Sequence, residues 1–165
     1  MYSIESVFAG SRSRYLRLRR RGFTLIELLA VVTIIGILAG IAIPKMRSVM
    51  DQAKTARAIG DIRALQTDIM SIEAGGQPLP ANLSAIGRGA MLDPWGNPYV
   101  YYVFPPGPNP AGARKDRFLV PVNSSFDLYS MGPDGNSAPP FTAAMSGDDI
   151  VRANDGGYVG LARNF

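Results

Sequence analysis

The chain has 165 residues, 47% of them hydrophobic, which suits one small domain with a membrane span and leaves no room for two full domains. Cysteine and histidine are both absent, which excludes disulfides, thiolate chemistry, imidazole bases and most zinc sites. The net charge of +4 comes from the first 22 residues, and the rest of the chain, with a net charge of −1, has no basic patch typical of a nucleic-acid-binding protein.

An apolar run from Phe23 to Ile43 contains a single charged residue, Glu27. At about 1.5 Å per residue the run makes a helix of roughly 32 Å, enough to cross a hydrocarbon core of about 30 Å. Arginines at positions 19–21 precede it and predict a cytoplasmic amino terminus with the carboxyl-terminal part across the membrane. Gly22 lies between the two segments, so a cut after it would remove the charges and leave the span on the mature chain.

Glu27 lies inside the predicted span, where an unpaired carboxylate costs a few kcal/mol. After a cut following Gly22, the new α-amino group of Phe23 would lie about one helical turn away. The cation could come from the same chain or from a neighbouring copy. The alternative is a carboxylate near the membrane edge that reaches water by itself.

The string GFTLIE from Gly22 to Glu27, followed by an apolar helix, resembles the class III signal of type IV pilins and type II secretion pseudopilins. The resemblance implies that a prepilin peptidase cuts between Gly22 and Phe23, removes residues 1–22 as a leader peptide, and methylates the Phe23 amine. It also implies that Glu27 pairs with the amine of an adjacent subunit, so that residues 23–44 serve as the transmembrane and assembly helix.

Beyond Pro44 the apolar residues recur at steps of three and four, which predicts an amphipathic helix with one packed face. Gly75 and Gly76 end it, so one helix is predicted from Phe23 to Ala74. Pro44 removes a backbone hydrogen bond. In the resembling filaments this section unwinds, and a simple kink is the alternative. The predicted face comprises Met46, Val49, Ala53, Ala56, Ile59, Ile62, Leu65, Ile69 and Ile72.

The remaining residues predict short elements joined by turns. Asn82 is a plausible cap for a turn through residues 83–86. The single tryptophan, Trp95, should anchor a turn against the helix, and stacking on a ligand is the alternative. Strands are predicted over residues 99–104, 118–122 and 126–131, which gives a small antiparallel sheet packed on the helix.

The strings DPWGNPY, residues 93–99, and FDLYSMGPDG, residues 126–135, resemble the major pseudopilin of type II secretion systems more than a generic pilin. Residues 105–122 look like an inserted hairpin relative to that family. The expected fold is therefore α+β and pilin-like: a long amino-terminal helix packs on a small antiparallel sheet, and an irregular tail closes the globular domain of residues 45–165.

Asp134, Asp148 and Asp149 bracket a flexible loop, and hard carboxylate oxygens without histidine or cysteine suit calcium. A solvated acidic loop without an ion is the alternative. In the resembling pseudopilins, aspartates matching these three hold calcium together with main-chain carbonyls matching Met131 and Ser146. Calcium is therefore the expected cofactor, with these five residues as its ligands.

No motif of a nucleotide-binding loop, serine hydrolase or zinc protease is present, and the expected role is structural rather than enzymatic. The resemblance implies subunits stored in the bacterial inner membrane with a periplasmic carboxyl-terminal domain. A cytoplasmic ATPase and an inner-membrane platform would stack them, with minor pseudopilins, into a helical homopolymer. That pseudopilus would drive folded proteins through an outer-membrane secretin. The alternatives are a type IV pilin of a surface pilus and a membrane-anchored enzyme.

Overall fold

The structure is a computed structural model that describes residues 22–107 and 110–165. The predicted leader therefore lies outside the described residues, apart from Gly22. The chain divides into two compact units, of which the first ends at Ile43 and the second runs from Pro44 to Phe165.

One long helix, α1, runs from Leu25 to Ala74. It begins two residues later than predicted, because Thr24 acts as its amino-terminal cap. It ends where predicted and is continuous through Pro44, so the described chain has no unwound section there. Unwinding within a filament stays a prediction. Among the described residues, α1 is the one helix long and apolar enough to cross a membrane, and none of its most apolar stretch is buried.

Four short strands form an antiparallel sheet in the order β1-β2-β3-β4. Val100 pairs with Tyr129 across β1 and β2, Tyr129 with Val151 across β2 and β3, and Ala153 with Tyr158 across β3 and β4. The strands are β1 (Val100–Val103), β2 (Phe126–Ser130), β3 (Ile150–Ala153) and β4 (Tyr158–Leu161). Short 3-10 turns lie at Leu83–Ile86, Ala144–Ser146, Asn154–Gly156 and Ala162–Asn164.

Two of the three predicted strands are confirmed, each slightly shorter than expected. The third, over residues 118–122, is wrong. Asp116 and Leu119 instead exchange backbone hydrogen bonds across a tight turn, and Phe118 at its tip is fully exposed. The irregular tail is also wrong, because β3 and β4 form a hairpin within it.

The core lies between the outer part of α1 and the sheet. The buried helix residues Ala58, Ile62, Leu65 and Ile69 follow steps of four, three and four, as an amphipathic helix requires. They pack against residues of the sheet and of the turn before β1, with Trp95 against the edge of the cluster, which confirms Trp95 as an anchor. The predicted face is wrong in its first part, where Met46 and Val49 are exposed. The other buried members are Leu83, Tyr99, Phe126, Leu128 and Ile150.

The turn of residues 83–86 forms as predicted. The Asn82 side chain accepts a hydrogen bond from the Ala85 backbone N–H at 3.0 Å, which is the geometry of a capping asparagine. This confirms the cap and leads the chain from the end of α1 towards the first strand.

Candidate functional site

The amino-terminal end of α1 is closed by a reciprocal pair of contacts between Thr24 and Glu27. The Glu27 carboxylate accepts the Thr24 backbone N–H at 2.9 Å and the Thr24 hydroxyl at 2.8 Å. The Glu27 N–H donates to the Thr24 hydroxyl oxygen at 3.3 Å. This is a capping box, in which two backbone donors that the helix cannot satisfy find side-chain acceptors. In the uncut chain, Glu27 therefore contacts its own helix end.

The predicted processing site lies in the open. Gly22 and Phe23 are both exposed, and a Cβ added at Gly22 would meet no atom of the described residues within 4 Å. The fold therefore gives no steric reason for glycine at this position. Cleavage there and the pairing of Glu27 with an adjacent amine stay predictions.

The two motifs that resemble the major pseudopilin, residues 93–99 and 126–135, meet at the buried carboxylate of Asp93. One of its oxygens accepts the backbone N–H groups of Trp95 and Asn97, at 3.0 and 2.8 Å, and closes the turn. The other accepts the Ser130 hydroxyl at 2.5 Å, at the end of β2. Asn97 also donates its side-chain amide to the Gly132 carbonyl at 2.9 Å. These motif residues form a structural joint between turn and strand.

In the predicted calcium loop, Asp149 is buried and bound to an arginine. Its Oδ2 accepts the Arg114 guanidinium at 2.5 Å and the Ser137 hydroxyl at 2.6 Å. Its Oδ1 is buried without a hydrogen-bond partner among the described residues. Burial raises the pKa of Asp149, and the Ser137 hydrogen bond and the Arg114 charge act in the opposite direction.

Among the described residues, none of the other four predicted ligands donates a hydrogen bond to the Asp149 carboxylate. Asp134 is exposed and accepts the Asn136 backbone N–H at 2.8 Å. The Ser146 carbonyl accepts the Asp149 N–H at 3.2 Å. Asp148 and Met131 are half-buried.

Within the described residues, no group of three or more aspartate or glutamate side chains is placed to hold a metal ion. As placed, the three predicted aspartate side chains are therefore not gathered into one such group. Calcium binding stays a prediction.

Arg114 was not among the predicted site residues. Residues 114–117 form a charged string of the kind found in exposed loops, and nothing in it distinguishes the buried arginine from its neighbours. The partners that fix it, Ser137 and Asp149, follow 23 and 35 residues later. A contact of that range has no local signal.

Residues 17–43 match the family model of the prokaryotic N-terminal methylation motif. The chain is 36% identical over 140 residues to the type II secretion system core protein G of Pseudomonas aeruginosa, which covers 72% of this chain and 87% of that protein. The protein of the same name from Escherichia coli is 30% identical over 138 residues, covering 71% of this chain and 84% of that protein.

A fimbrial protein of Pseudomonas aeruginosa is 50% identical, but over 48 residues, which are 29% of this chain and 31% of that protein. No solved structure matches the chain. The similarity to core protein G extends over 140 residues and covers most of both proteins. The chain therefore belongs to the family of the type II secretion system core protein G, the major pseudopilin.

Proposed function

We propose that this protein is the structural subunit of a type II secretion pseudopilus, a filament that drives folded proteins through the outer membrane. The observation that carries the proposal is the 140-residue similarity to core protein G. The fimbrial protein matches over only 48 residues, which are 29% of this chain and 31% of that protein. A surface pilin is therefore the less well supported role.

The subunit is stored in the bacterial inner membrane in this proposal, with its amino terminus in the cytoplasm and its carboxyl-terminal domain in the periplasm. The support is the apolar half of α1, none of which is buried in the described chain, and the arginines at positions 19–21. A prepilin peptidase cuts after Gly22 and methylates Phe23. The match to the methylation motif over residues 17–43 supports this step.

Assembly follows processing. A cytoplasmic ATPase and an inner-membrane platform extract the subunits, which join minor pseudopilins and copies of themselves in a helical filament. The Glu27 carboxylate pairs with the Phe23 amine of the neighbouring copy. The role is mechanical and requires no catalytic residue of this chain.

Deleting the gene in the bacterium that carries it separates the two filament roles. We expect the deletion to abolish release of folded exoproteins into the medium, to leave surface pili and surface motility intact, and to be complemented by the wild-type gene. Exoprotein activity in the culture supernatant and electron microscopy of the cell surface are the measurements. Loss of surface pili with normal secretion would show that the chain is a surface pilin.

A further inference from the structure

The guanidinium of Arg114 lies in the interior of the second unit, although Arg114 belongs to residues 105–122, the segment that the sequence predicts to be an inserted hairpin. The residue is 2% exposed. One terminal nitrogen donates to the Ser137 hydroxyl at 2.5 Å and to the Ala138 carbonyl at 2.7 Å. The other donates to Asp149 at 2.5 Å. A single cation therefore bonds both sides of the loop to which the sequence assigns calcium.

The position of this guanidinium is fixed from several directions. Its central carbon lies 4.4 Å from the ring centre of Tyr129 and 5.1 Å from that of Phe141, within the range of cation–π contacts. The Arg114 backbone N–H donates to the buried carboxylate of Asp127 at 2.6 Å, and the Arg114 carbonyl accepts the Val122 N–H at 2.9 Å. The arginine is thus part of the packed interior, unlike an exposed side chain that changes rotamer freely.

Asp149 is held equally firmly. Its backbone N–H donates to the Ser146 carbonyl at 3.2 Å, and its carbonyl accepts the Ala162 N–H at 2.9 Å. Its side chain has no exposed surface. An ionised carboxylate in such a place requires a counter-charge and hydrogen-bond donors; Arg114 and Ser137 provide both to Oδ2, while Oδ1 has no partner among the described residues.

We infer that Arg114 is the resident cation of the loop of residues 131–149: its ion pair with Asp149 orders the loop, which keeps its fold without calcium. Asp134 does not join this pair, since it is exposed and closes its own turn, and no group of three acidic side chains among the described residues is placed to hold a metal ion. A calcium ion on Asp149 would also face the guanidinium at short range, and like charges repel. The inference concerns the stability of the domain and is independent of the role in secretion.

The test is thermal unfolding of the full-length chain in detergent, followed by the fluorescence of Trp95, which packs against the core. A calcium module with a Kd of ~10⁻⁴–10⁻³ M would melt about 5–10 °C higher in ~10 mM calcium than in chelator. We expect the wild type to melt at the same temperature in both buffers, to within about 1 °C. Magnesium at the same concentration controls for ionic strength. A calcium-specific rise of 5–10 °C would overturn the inference.

Variants test the ion pair itself. Arg114→Gln removes the charge and should lower the melting temperature in chelator by about 10 °C or more, because it leaves Asp149 buried and unpaired. Arg88→Gln is the matched control, since it breaks the exposed pair with Asp68 and should change the melting temperature by less than about 2 °C. Equal shifts in the two variants would contradict the inference.

A double substitution covers the case in which Arg114→Gln does not fold. Arg114→Gln with Asp149→Asn removes both charges, so no buried charge is left without a partner. We expect the double variant to melt at a higher temperature than the Arg114→Gln single variant. A double variant that is no more stable than the single one would show that the pair does not order the loop.

Discussion

Glu27 has a partner before assembly that the sequence did not reveal. The capping box with Thr24 gives the carboxylate hydrogen-bond partners within its own chain. A charged amine close by in a membrane is a stronger partner than a neutral N–H, because a charge-assisted hydrogen bond gains more in a low dielectric. Capping and pairing between subunits are therefore compatible as successive states of the same side chain.

Two substitutions at Glu27 separate these states. Glu27→Gln keeps a side chain that can complete a capping box but loses the charge, and Glu27→Ala loses both. We expect both variants to be inserted and processed, and neither to form filaments alone, because neither can pair with an amine. Mass spectrometry of the processed chain and filament yield by electron microscopy are the measurements. Wild-type filaments from Glu27→Gln would mean that the carboxylate serves the cap alone.

Tyr101 illustrates a different residue-scale effect, a buried hydroxyl without a hydrogen-bond partner among the described residues. Burial and the charge of Glu73 raise its pKa to about 12, against the opposing charge of Arg152. The unfolded chain therefore loses this proton first, near its ordinary value of ~10. The contribution of Tyr101 to the free energy of unfolding is present in full below pH ~10 and is lost as pH rises to about 12.

Replacing Tyr101 by phenylalanine should leave the free energy of unfolding at neutral pH unchanged or raise it by up to ~1 kcal/mol, because an unpaired buried hydroxyl is removed. It should also flatten the fall in stability between pH ~10 and ~12. Tyr102→Phe is the matched control on the same strand, since it removes a hydroxyl that donates to the Ala111 carbonyl at 2.9 Å and should cost ~0.5–1.5 kcal/mol. Denaturant unfolding over a pH series measures both. A loss larger for Tyr101→Phe than for Tyr102→Phe would contradict this account.

At the scale of elements, α1 was predictable because its signal is long: an apolar run joined to a face at steps of three and four. The missed hairpin had a local signal too. Asn154–Gly157 is a turn string between two short apolar runs, and Asn154 and Asp155 both have a φ of 51°, the left-handed region that such turns need. The buried Arg152 inside β3 hid it, since a charged residue in a four-residue run reads as surface.

The strand wrongly predicted over residues 118–122 has the opposite explanation, since its sequence favours a strand but its side chains are exposed. Residues 118–122 read FLVPV, which is apolar and β-branched, yet Phe118, Leu119 and Val120 are exposed. Pro121 has no backbone N–H to donate to a neighbouring strand, which already argues against a strand at these residues. Which residues of this segment are buried depends on contacts between residues distant in sequence, here between Arg114 and Asp149 of the tail. Strand propensity alone does not predict such contacts.

The Gly132 turn gives a prediction at this scale. Gly132 has a φ of 66°, and a Cβ there would lie 2.5 Å from the Asp148 carbonyl oxygen. Gly87 has a φ of 71° with nothing within 4 Å, so it controls for backbone strain alone. We expect Gly87→Ala to lower the free energy of unfolding by ~1–2 kcal/mol. Gly132→Ala should lower it by at least ~1 kcal/mol more, because its Cβ also pushes the Gly132 turn away from the backbone of Asp148. Chemical denaturation of the two variants checks this, and equal losses would mean that the segments move apart at no cost.

At the scale of the whole molecule, one cut changes the character of the chain. Removing residues 1–22 converts a net charge of +4 to −1 and leaves an amino terminus that begins with the span. In the proposed topology, the positively charged segment that would hold the amino terminus in the cytoplasm is then gone. The proposed processing step would thus separate the stage at which the chain is oriented from the stage at which it assembles.

Gly22 permits a clean test of this separation. Gly22→Leu should block cleavage and retain the full-length chain in the membrane, while the melting of the domain reported by Trp95 stays unchanged, because a side chain at position 22 meets no neighbour. Mass spectrometry of the wild type should find a chain that begins at a methylated Phe23. A wild-type chain that begins at Met1 without methylation would refute the processing step.

The Arg114–Asp149 contact joins two segments that are 35 residues apart, one inside the insertion and one at the start of β3. In a chimera with a relative, exchanging either segment alone would place an unmatched guanidinium or carboxylate in the interior. The insertion and the tail are therefore a single exchangeable module, and only their joint transfer should yield a folded hybrid.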